Sequence, residues 1–266
     1  MRLVKPSYEI LSVTDGPIKL IEVAGRTCYK SEEKITDDSA DRFVEMVTKR
    51  EHNSVIEHAN MTVRFVCDRG VTHELVRHRL AAYSQESTRY CNYKGGVTFI
   101  IPPWIDIIPG IWSEVHSFGE GWSFQREPDE EHSEYISVQA GKKIDEDRQQ
   151  IDWPTDRWLH MMQAAETSYM QMLKEPQEHQ TPYTPWTPQQ ARSVLPNSLK
   201  TEIVMTTNFR EWLHVFKLRT SKAAHPQIKE IMEPLQAECR KRWPAVFGKE
   251  EKFQSCYLID QGKTND

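Results

Sequence analysis

The chain has 266 residues, with 34 basic and 39 acidic side chains and a formal net charge of −5, the size of one large domain or two small ones. Hydrophobic residues make up 38% and aromatic residues 10%, which excludes a disordered chain although the mean hydropathy is −0.67. No apolar run approaches the roughly 20 residues of a membrane span, and Met1 to Pro6 lacks the apolar stretch of a signal peptide, so the reading is a cytoplasmic protein with no membrane partner.

Val13-Thr14-Asp15-Gly16-Pro17 is a turn signal, and Ile18 to Cys28 follows with helical apolar spacing. Thr36-Asp37-Asp38 stands where a cap belongs, before a helix predicted to run to about Arg50 with Phe43, Val44 and Val47 on one face. Asn60 to Cys67 alternates Met61, Val63, Phe65 and Cys67 with other residues, the pattern of a half-buried strand. A helix is predicted from about Val71 to Leu80, then a polar loop through Tyr90, then an extended run at Val97 to Ile101.

From Pro102 to Pro154 the composition shifts. Glu114 to Arg148 holds ten acidic and four basic residues, a net of −6, so the rest of the chain carries about +1. Trp104, Trp112, Trp122 and Trp153 punctuate this stretch, which predicts an acidic, partly helical surface insertion over residues 104–154, with a lid or partner surface as the alternative. Beyond it, Asp156 to Lys174 reads as an amphipathic helix, Gln189 to Pro196 as a short helix stopped by proline, and Thr201 to Thr207 as a strand. Helices are predicted at Phe209 to Leu218 and Pro226 to Arg242, and residues 249–266 form a polar tail expected to fray. The five cysteines (Cys28, Cys67, Cys91, Cys239, Cys256) are widely spaced and in no CxxC pair, which fits reduced thiols rather than a disulfide frame or a zinc site.

The segment Glu74 to Tyr90 carries the chemistry. If both were helical, Arg77 and Arg79 would project about 200° apart, beside the apolar Leu75, Val76, Leu80, Ala81 and Ala82. Such arginines are either surface charges with carboxylate partners or the grip on an anion, because a guanidinium holds phosphate in bidentate fashion.

Arg77-His78-Arg79, seven residues and then Ser87, continuing into Arg89-Tyr90, resembles the RHR-x7-S signature of the flavin-dependent thymidylate synthases. Glu51 to His58 is similar to that family's block before a strand. Ala191 to Pro196, Asn208 to His214 with Lys217-Leu218-Arg219, and then His225 also stand where the family has its motifs. The likeness covers about residues 10 to 102 and 155 to 245. It implies an α+β fold with a small central antiparallel sheet flanked by helices, a single domain over residues 1–266 enlarged by the acidic insertion, and a homotetramer with sites between subunits.

The activity implied is conversion of dUMP to dTMP, with methylenetetrahydrofolate as co-substrate and NADPH as reductant through FAD. By motif position, the resemblance places Arg219, His52 and Ser87 at the reaction centre. Flavin contacts fall to Ser54, Arg77, His78, Arg79, Asn208, Arg210, His214 and His225. The dUMP contacts fall to Arg77, Gln85, Glu86, Ser87, Arg89, Arg192 and Arg219, and no metal is implied. Asn208 also stands where an N-cap belongs, and Glu57-His58 reads as a structural pair at the strand entrance rather than as catalytic. Two positions depart from the family: Glu74, three before Arg77, replaces a frequent glutamine, and Gln85 replaces a frequent acid. A carboxylate at Glu74 would repel a nucleotide phosphate unless paired.

Cys91 invites the role of a thiolate nucleophile but has no adjacent base to activate it, and Ser87 would likewise need one, so dUMP binding is the more economical role for the serine. Gly95-Gly96 and Gly119-Glu120-Gly121 do not form a GxGxxG turn, so flavin would not be held in Rossmann fashion. Two other readings remain open on the sequence: a flavin- and folate-dependent pyrimidine nucleotide hydroxymethylase, and a non-catalytic nucleotide-binding oligomer. A nucleic-acid binder is disfavoured, because the basic residues are scattered rather than gathered in a stripe.

Overall fold

Strand β3 (Asn60–Asp68) and strand β10 (Lys200–Asn208) pair antiparallel along their whole length, from Asn60 opposite Asn208 to Asp68 opposite Lys200. The pair forms because both segments alternate: Met61, Val63, Phe65 and Cys67 on one strand and Thr201, Ile203, Met205 and Thr207 on the other are buried on the same face. The computed structural model describes residues 1–117, 121–128, 136–140, 148–176 and 182–248, with residues 115–117, 121–122, 136–140 and 148–150 described by backbone alone. The predicted tail at 249–266 lies outside these residues.

In chain order the elements begin with β1 (Arg2–Val4), β2 (Ser7–Val13), α1 (Pro17–Tyr29) and α2 (Ser39–Lys49), followed by a 3-10 turn at Asn53–His58. After β3 come α3 (Arg69–Leu75), β4 (Ala81–Gln85) and β5 (Thr98–Ile100), then β6 (Gly110–Ser117), β7 (Gly121–Arg126), β8 (Ile136–Ala140) and β9 (Arg148–Ile151). The chain continues through α4 (Trp153–Met172) and α5 (Pro188–Ala191), with a 3-10 turn at Arg192–Val194, to β10, α6 (Phe209–Arg219), α7 (Pro226–Arg242) and α8 (Pro244–Phe247).

The central sheet is the small antiparallel one expected, in the order β2-β3-β10-β4. Helices α1, α2, α6, α7 and α8 cover one face around Ile21, Val44, Phe65, Met205, Trp212, Phe216 and Leu235. This is a mixed α+β arrangement of small sheets flanked by helices. Helix α1 packs closely on α2 at Gly25, where an added Cβ would fall 2.5 Å from Phe43 Cε1. Among the described residues no helix is long and apolar enough to cross a membrane.

Three expectations are corrected. The helix predicted to reach Leu80 ends at Leu75, and the Tyr83 hydroxyl lies 2.6 Å from the Leu75 carbonyl and 2.8 Å from that of His78, positioned to donate to these chain-end acceptors. The polar loop expected after it contains strand β4, whose residues 81–85 pair with β10. Apart from Trp153 and Pro154, which open α4, the acidic insertion contains no helix among the described residues. Its strands β6 to β9 extend a second sheet in the order β5-β1-β6-β7-β8-β9, with β1–β5 and β8–β9 parallel. Trp112 and Phe124 of the insertion are fully buried with Leu3, Phe99, Leu159 and Tyr169 in a second core against α4. Short apolar runs carry no length signal that separates strand from helix, and the negative charge count concealed this buried face.

Candidate active site

Helix α6 organises the site. The Asn208 side chain caps it, Oδ1 accepting the backbone N–H of Glu211 at 2.9 Å. Phe209, Trp212, Val215 and Phe216 turn into the core, which leaves Arg210 and His214 on the other face, while Arg219 at the last turn lies on the same side as Trp212 and Val215. Arg210 and His214 are four residues apart and therefore neighbours on that face.

At the C-terminal end of α6, Arg219 meets the turn after α3. Its Nε donates to His78 Nε2 at 3.0 Å, Nη1 to Glu74 Oε2 at 2.6 Å and Nη2 to the Glu74 carbonyl at 3.0 Å. Glu74, the doubtful substitution in the motif, is thereby paired. On its other nitrogen His78 faces Glu211, with Nδ1 3.3 Å from Oε1. Both residues are buried, His78 with 4% of its surface exposed. Arg219 can only donate, so Nε2 carries the lone pair and Nδ1 the proton that reaches Glu211. Burial first, and the Arg219 charge second, hold the imidazole below the usual histidine range despite the Glu211 carboxylate, so it is neutral.

His78, Glu211 and His214 bring ligand-type atoms within 4.8 Å of one another, close enough for a cation. A histidine that gives Nδ1 to a metal normally keeps N–H on Nε2 and donates it to an acceptor; here Arg219 presents an N–H at that position. The donor set therefore suits a neutral histidine better than a metal ligand.

Because α3 stops at Leu75, Arg77 and Arg79 lie in the turn that follows, and the helical angle between them does not apply. Both are exposed and neither guanidinium has a hydrogen-bond or ion-pair partner among the described residues. Leu80 beside them is 74% exposed.

After β4 the dUMP candidates diverge in their engagements. Gln85 Nε2 donates to Thr72 Oγ1 at 3.0 Å. Glu86 accepts from the Tyr93 hydroxyl at 2.7 Å and pairs with Lys200 at 3.1 Å. Ser87 Oγ accepts the backbone N–H of Arg89 at 3.3 Å, and Arg192 Nη1 donates to Thr88 Oγ1 at 2.8 Å. Arg89 is exposed, its guanidinium over the Tyr90 ring at 5.5 Å. Ser87, Thr88, Arg89 and Arg192 thus meet at one end of the sheet, while Gln85 and Glu86 are tied into the protein.

At the N-terminal end of α6 lies a cleft of about 390 Å³ lined by Tyr29, His52, Asn53, Ser54 and Arg210. Tyr29 Oη and His52 Nδ1 are 3.3 Å apart, and Arg210 pairs with Glu57, so the carboxylate of the strand entrance is an arginine partner. His225 sits elsewhere: it caps α7, accepting the Gln227 N–H at 3.4 Å, and its ring stands edge-on to Trp104 at 5.9 Å. The structure therefore gathers the expected residues into two groups joined by α6 and a third beyond β4. Sequence reasoning missed Glu211, Thr88 and Tyr83. Glu211 had a weak signal, since an acid in the first turn of a helix reads as a dipole partner, and that reading hid its contact with His78.

Unpaired arginines, a neutral buried histidine and capped helix ends around an antiparallel sheet define a protein built to hold anionic ligands on a rigid α+β frame. The same fold occurs in the UMP/dUMP methylase PolB from Streptomyces cacaoi bound with 5-Br dUMP, with a TM-score of 0.64 at 20% identity over 93% of this chain and 95% of that one. Residues 9–245 match the family described as Thymidylate synthase complementing protein, and the chain belongs to it. Relatives named flavin-dependent thymidylate synthase include that of Mycolicibacterium gilvum, 30% identical over 91% of this chain and 81% of the relative. That of Mycobacterium avium is 28% identical over 97% and 88%.

Proposed function

We propose that the chain is a flavin-dependent thymidylate synthase, converting dUMP to dTMP with methylenetetrahydrofolate as carbon donor and NADPH as reductant through FAD. The observation that carries this reading is the state of the signature residues: Arg77 and Arg79 are exposed and unpaired among the described residues, beside a neutral His78 locked to Arg219. Free guanidinium groups suit the phosphates of a flavin or nucleotide, and the Ser54 hydroxyl in the cleft with Arg210 adds a neutral donor. The donor set fits an anionic dinucleotide, with Ser54, Arg77, Arg79, Arg210 and His214 as the groups that would hold it. When bound, the flavin supplies the reducing equivalents that turn a transferred methylene into a methyl group.

The protein's own part is binding and orientation. Arg89 and Arg192, exposed beside Ser87, would take the nucleotide phosphate, while Arg219 would lie against the base. Ser87 accepts a turn hydrogen bond from Arg89, which suits a binding hydroxyl. Fixed donors aimed at developing charge on the uracil ring would do most of the protein's catalytic work. His52, with Nδ1 near the Tyr29 hydroxyl, is placed to meet the ligand in the cleft. We read residues 1–266 as one catalytic unit in which the 104–154 insertion extends a sheet, and the exposed Leu80, Arg77 and Arg79 as the surface where a homotetramer completes its sites.

Anaerobic incubation of the dithionite-reduced flavoprotein with dUMP and methylenetetrahydrofolate tests this. Formation of dTMP is the expected result. A product heavier by one oxygen atom would identify a hydroxymethylase instead, and tight dUMP binding without turnover would leave a nucleotide-binding oligomer.

A further inference from the structure

Arg219 is gripped on every nitrogen. His78 accepts from Nε, the Glu74 carboxylate from Nη1 and the Glu74 carbonyl from Nη2. Of the five N–H groups of a guanidinium, two remain for a ligand. Glu74 also balances the charge, so Arg219 offers a fixed plane and two directed donors rather than a free cation. That distinguishes it from the unpaired Arg77 and Arg79, and suits it to the face or carbonyl edge of a base rather than to a phosphate.

The plane is fixed only while His78 Nε2 is an acceptor. A neutral imidazole has one donor and one acceptor nitrogen, and the partner of Nδ1 decides which is which. That partner is the buried carboxylate of Glu211. Glu211 is itself located by the first turn of α6, where Asn208 holds its backbone N–H. Without an acceptor at Nδ1 the proton is free to move to Nε2, where it would meet the Nε–H of Arg219 head-on.

We propose that Glu211 is a positioning residue for the pyrimidine nucleotide: it sets the tautomer of His78, which with Glu74 orients the guanidinium of Arg219 toward the base. This rests on the thymidylate synthase reading for the identity of the ligand. Glu211 touches no ligand and acts through His78 and Arg219.

The test compares Glu211→Ala and Glu211→Gln with the wild-type holoenzyme, measuring the dUMP dissociation constant by calorimetry and the tautomer of His78 from its 15N shifts with and without dUMP. In the wild type, His78 carries its proton on Nδ1. Glu211→Ala is expected to shift that proton toward Nε2 and weaken dUMP binding about tenfold or more. Glu211→Gln, whose amide oxygen still accepts, recovers most of that loss.

An Ala variant that folds, keeps the Nδ1 tautomer and binds dUMP within about twofold of wild type overturns the proposal. If the Ala variant does not fold, the other two proteins decide. A wild-type His78 protonated on Nε2 or on both nitrogens overturns it, as does a Gln variant that has lost tenfold or more in dUMP affinity. A wild-type Nδ1 tautomer with a Gln variant that keeps it and binds within about threefold supports it. A wild type that binds dUMP but forms no dTMP overturns the functional reading alone, because tautomer and affinity are read without turnover. A wild type that binds no dUMP removes both.

Discussion

The Asn208 carboxamide accepts the backbone N–H of Glu211 across 2.9 Å, and this one contact sets where helix α6 begins and therefore where Arg210, His214 and Arg219 point. An N-cap side chain replaced by alanine costs about 0.5–2 kcal/mol. Asn208→Ala is expected to lower the melting temperature by a few degrees and to weaken flavin retention at the same time. Asn208→Asp, which still caps, should restore the melting temperature.

Arg219 should tolerate no cationic substitute. Lysine carries the charge but cannot donate in one plane to His78, to the Glu74 carboxylate and to the Glu74 carbonyl. Loss of two hydrogen bonds to charged or polar partners, at about 1.5 kcal/mol each, predicts a fall of about a hundredfold in kcat/KM for dUMP. Arg219→Ala, which loses all three hydrogen bonds and the charge, should fall at least as far as Arg219→Lys in steady-state kinetics. A lysine variant near wild-type activity would show that charge alone suffices.

Gly25 marks a contact between helices α1 and α2 in which a methyl group has no room, since its Cβ would sit 2.5 Å from Phe43 Cε1 and 2.7 Å from Cζ. Forcing Phe43 aside costs about 1–3 kcal/mol, as overpacking generally does. Because Gly25 also lines the cleft with His52 and Ser54, Gly25→Ala is expected to reduce both denaturant resistance and flavin affinity. A chemical denaturation curve and a flavin titration on the same sample check both.

Trp112 is completely buried in the second core and its indole N–H donates to the Ile108 carbonyl at 3.0 Å. Trp112→Ala should cost about 3–5 kcal/mol. If the 104–154 insertion is part of the catalytic unit, the whole protein should then unfold at lower denaturant in one transition. An early separate transition, with the four-stranded sheet intact, would mark it as an independent unit.

Asp152 caps α4, its Oδ1 accepting the Thr155 N–H at 2.9 Å, and the hydrogen bonds from Thr155 hold its carboxyl below the ordinary aspartate range. A carboxyl held low stabilises the fold above its unfolded value of about 3.9, and the contribution fades as pH falls through the folded value. Asp152→Ala should therefore melt roughly 2–4 °C below wild type at pH 7. The gap should narrow below about pH 4. Thermal melts across that range show whether it does.

Much of the frame was legible before any coordinates. The helices at Ile18 to Cys28, Phe209 to Leu218 and Pro226 to Arg242 correspond closely to α1, α6 and α7, because a buried face repeats every three or four residues and leaves a local record. The alternation at Asn60 to Cys67 and Thr201 to Thr207 likewise located β3 and β10. The insertion misled for a physical reason: its acidic residues dominate the composition, while the buried Trp112 and Phe124 that bind it to α4 are few.

The sequence by itself determined the signature Arg77-His78-Arg79 with Ser87, the reach of the family likeness and the oddity of Glu74. Only the tertiary structure decided what these residues do to one another. His78 and Arg219 are 141 positions apart and Glu74 and Arg219 are 145 apart. No local periodicity records a pairing at that separation. It arises because β10 lies between β3 and β4 and delivers α6 beside the turn after α3. Only there does a carboxylate that looked misplaced become the counter-charge that holds an arginine in plane.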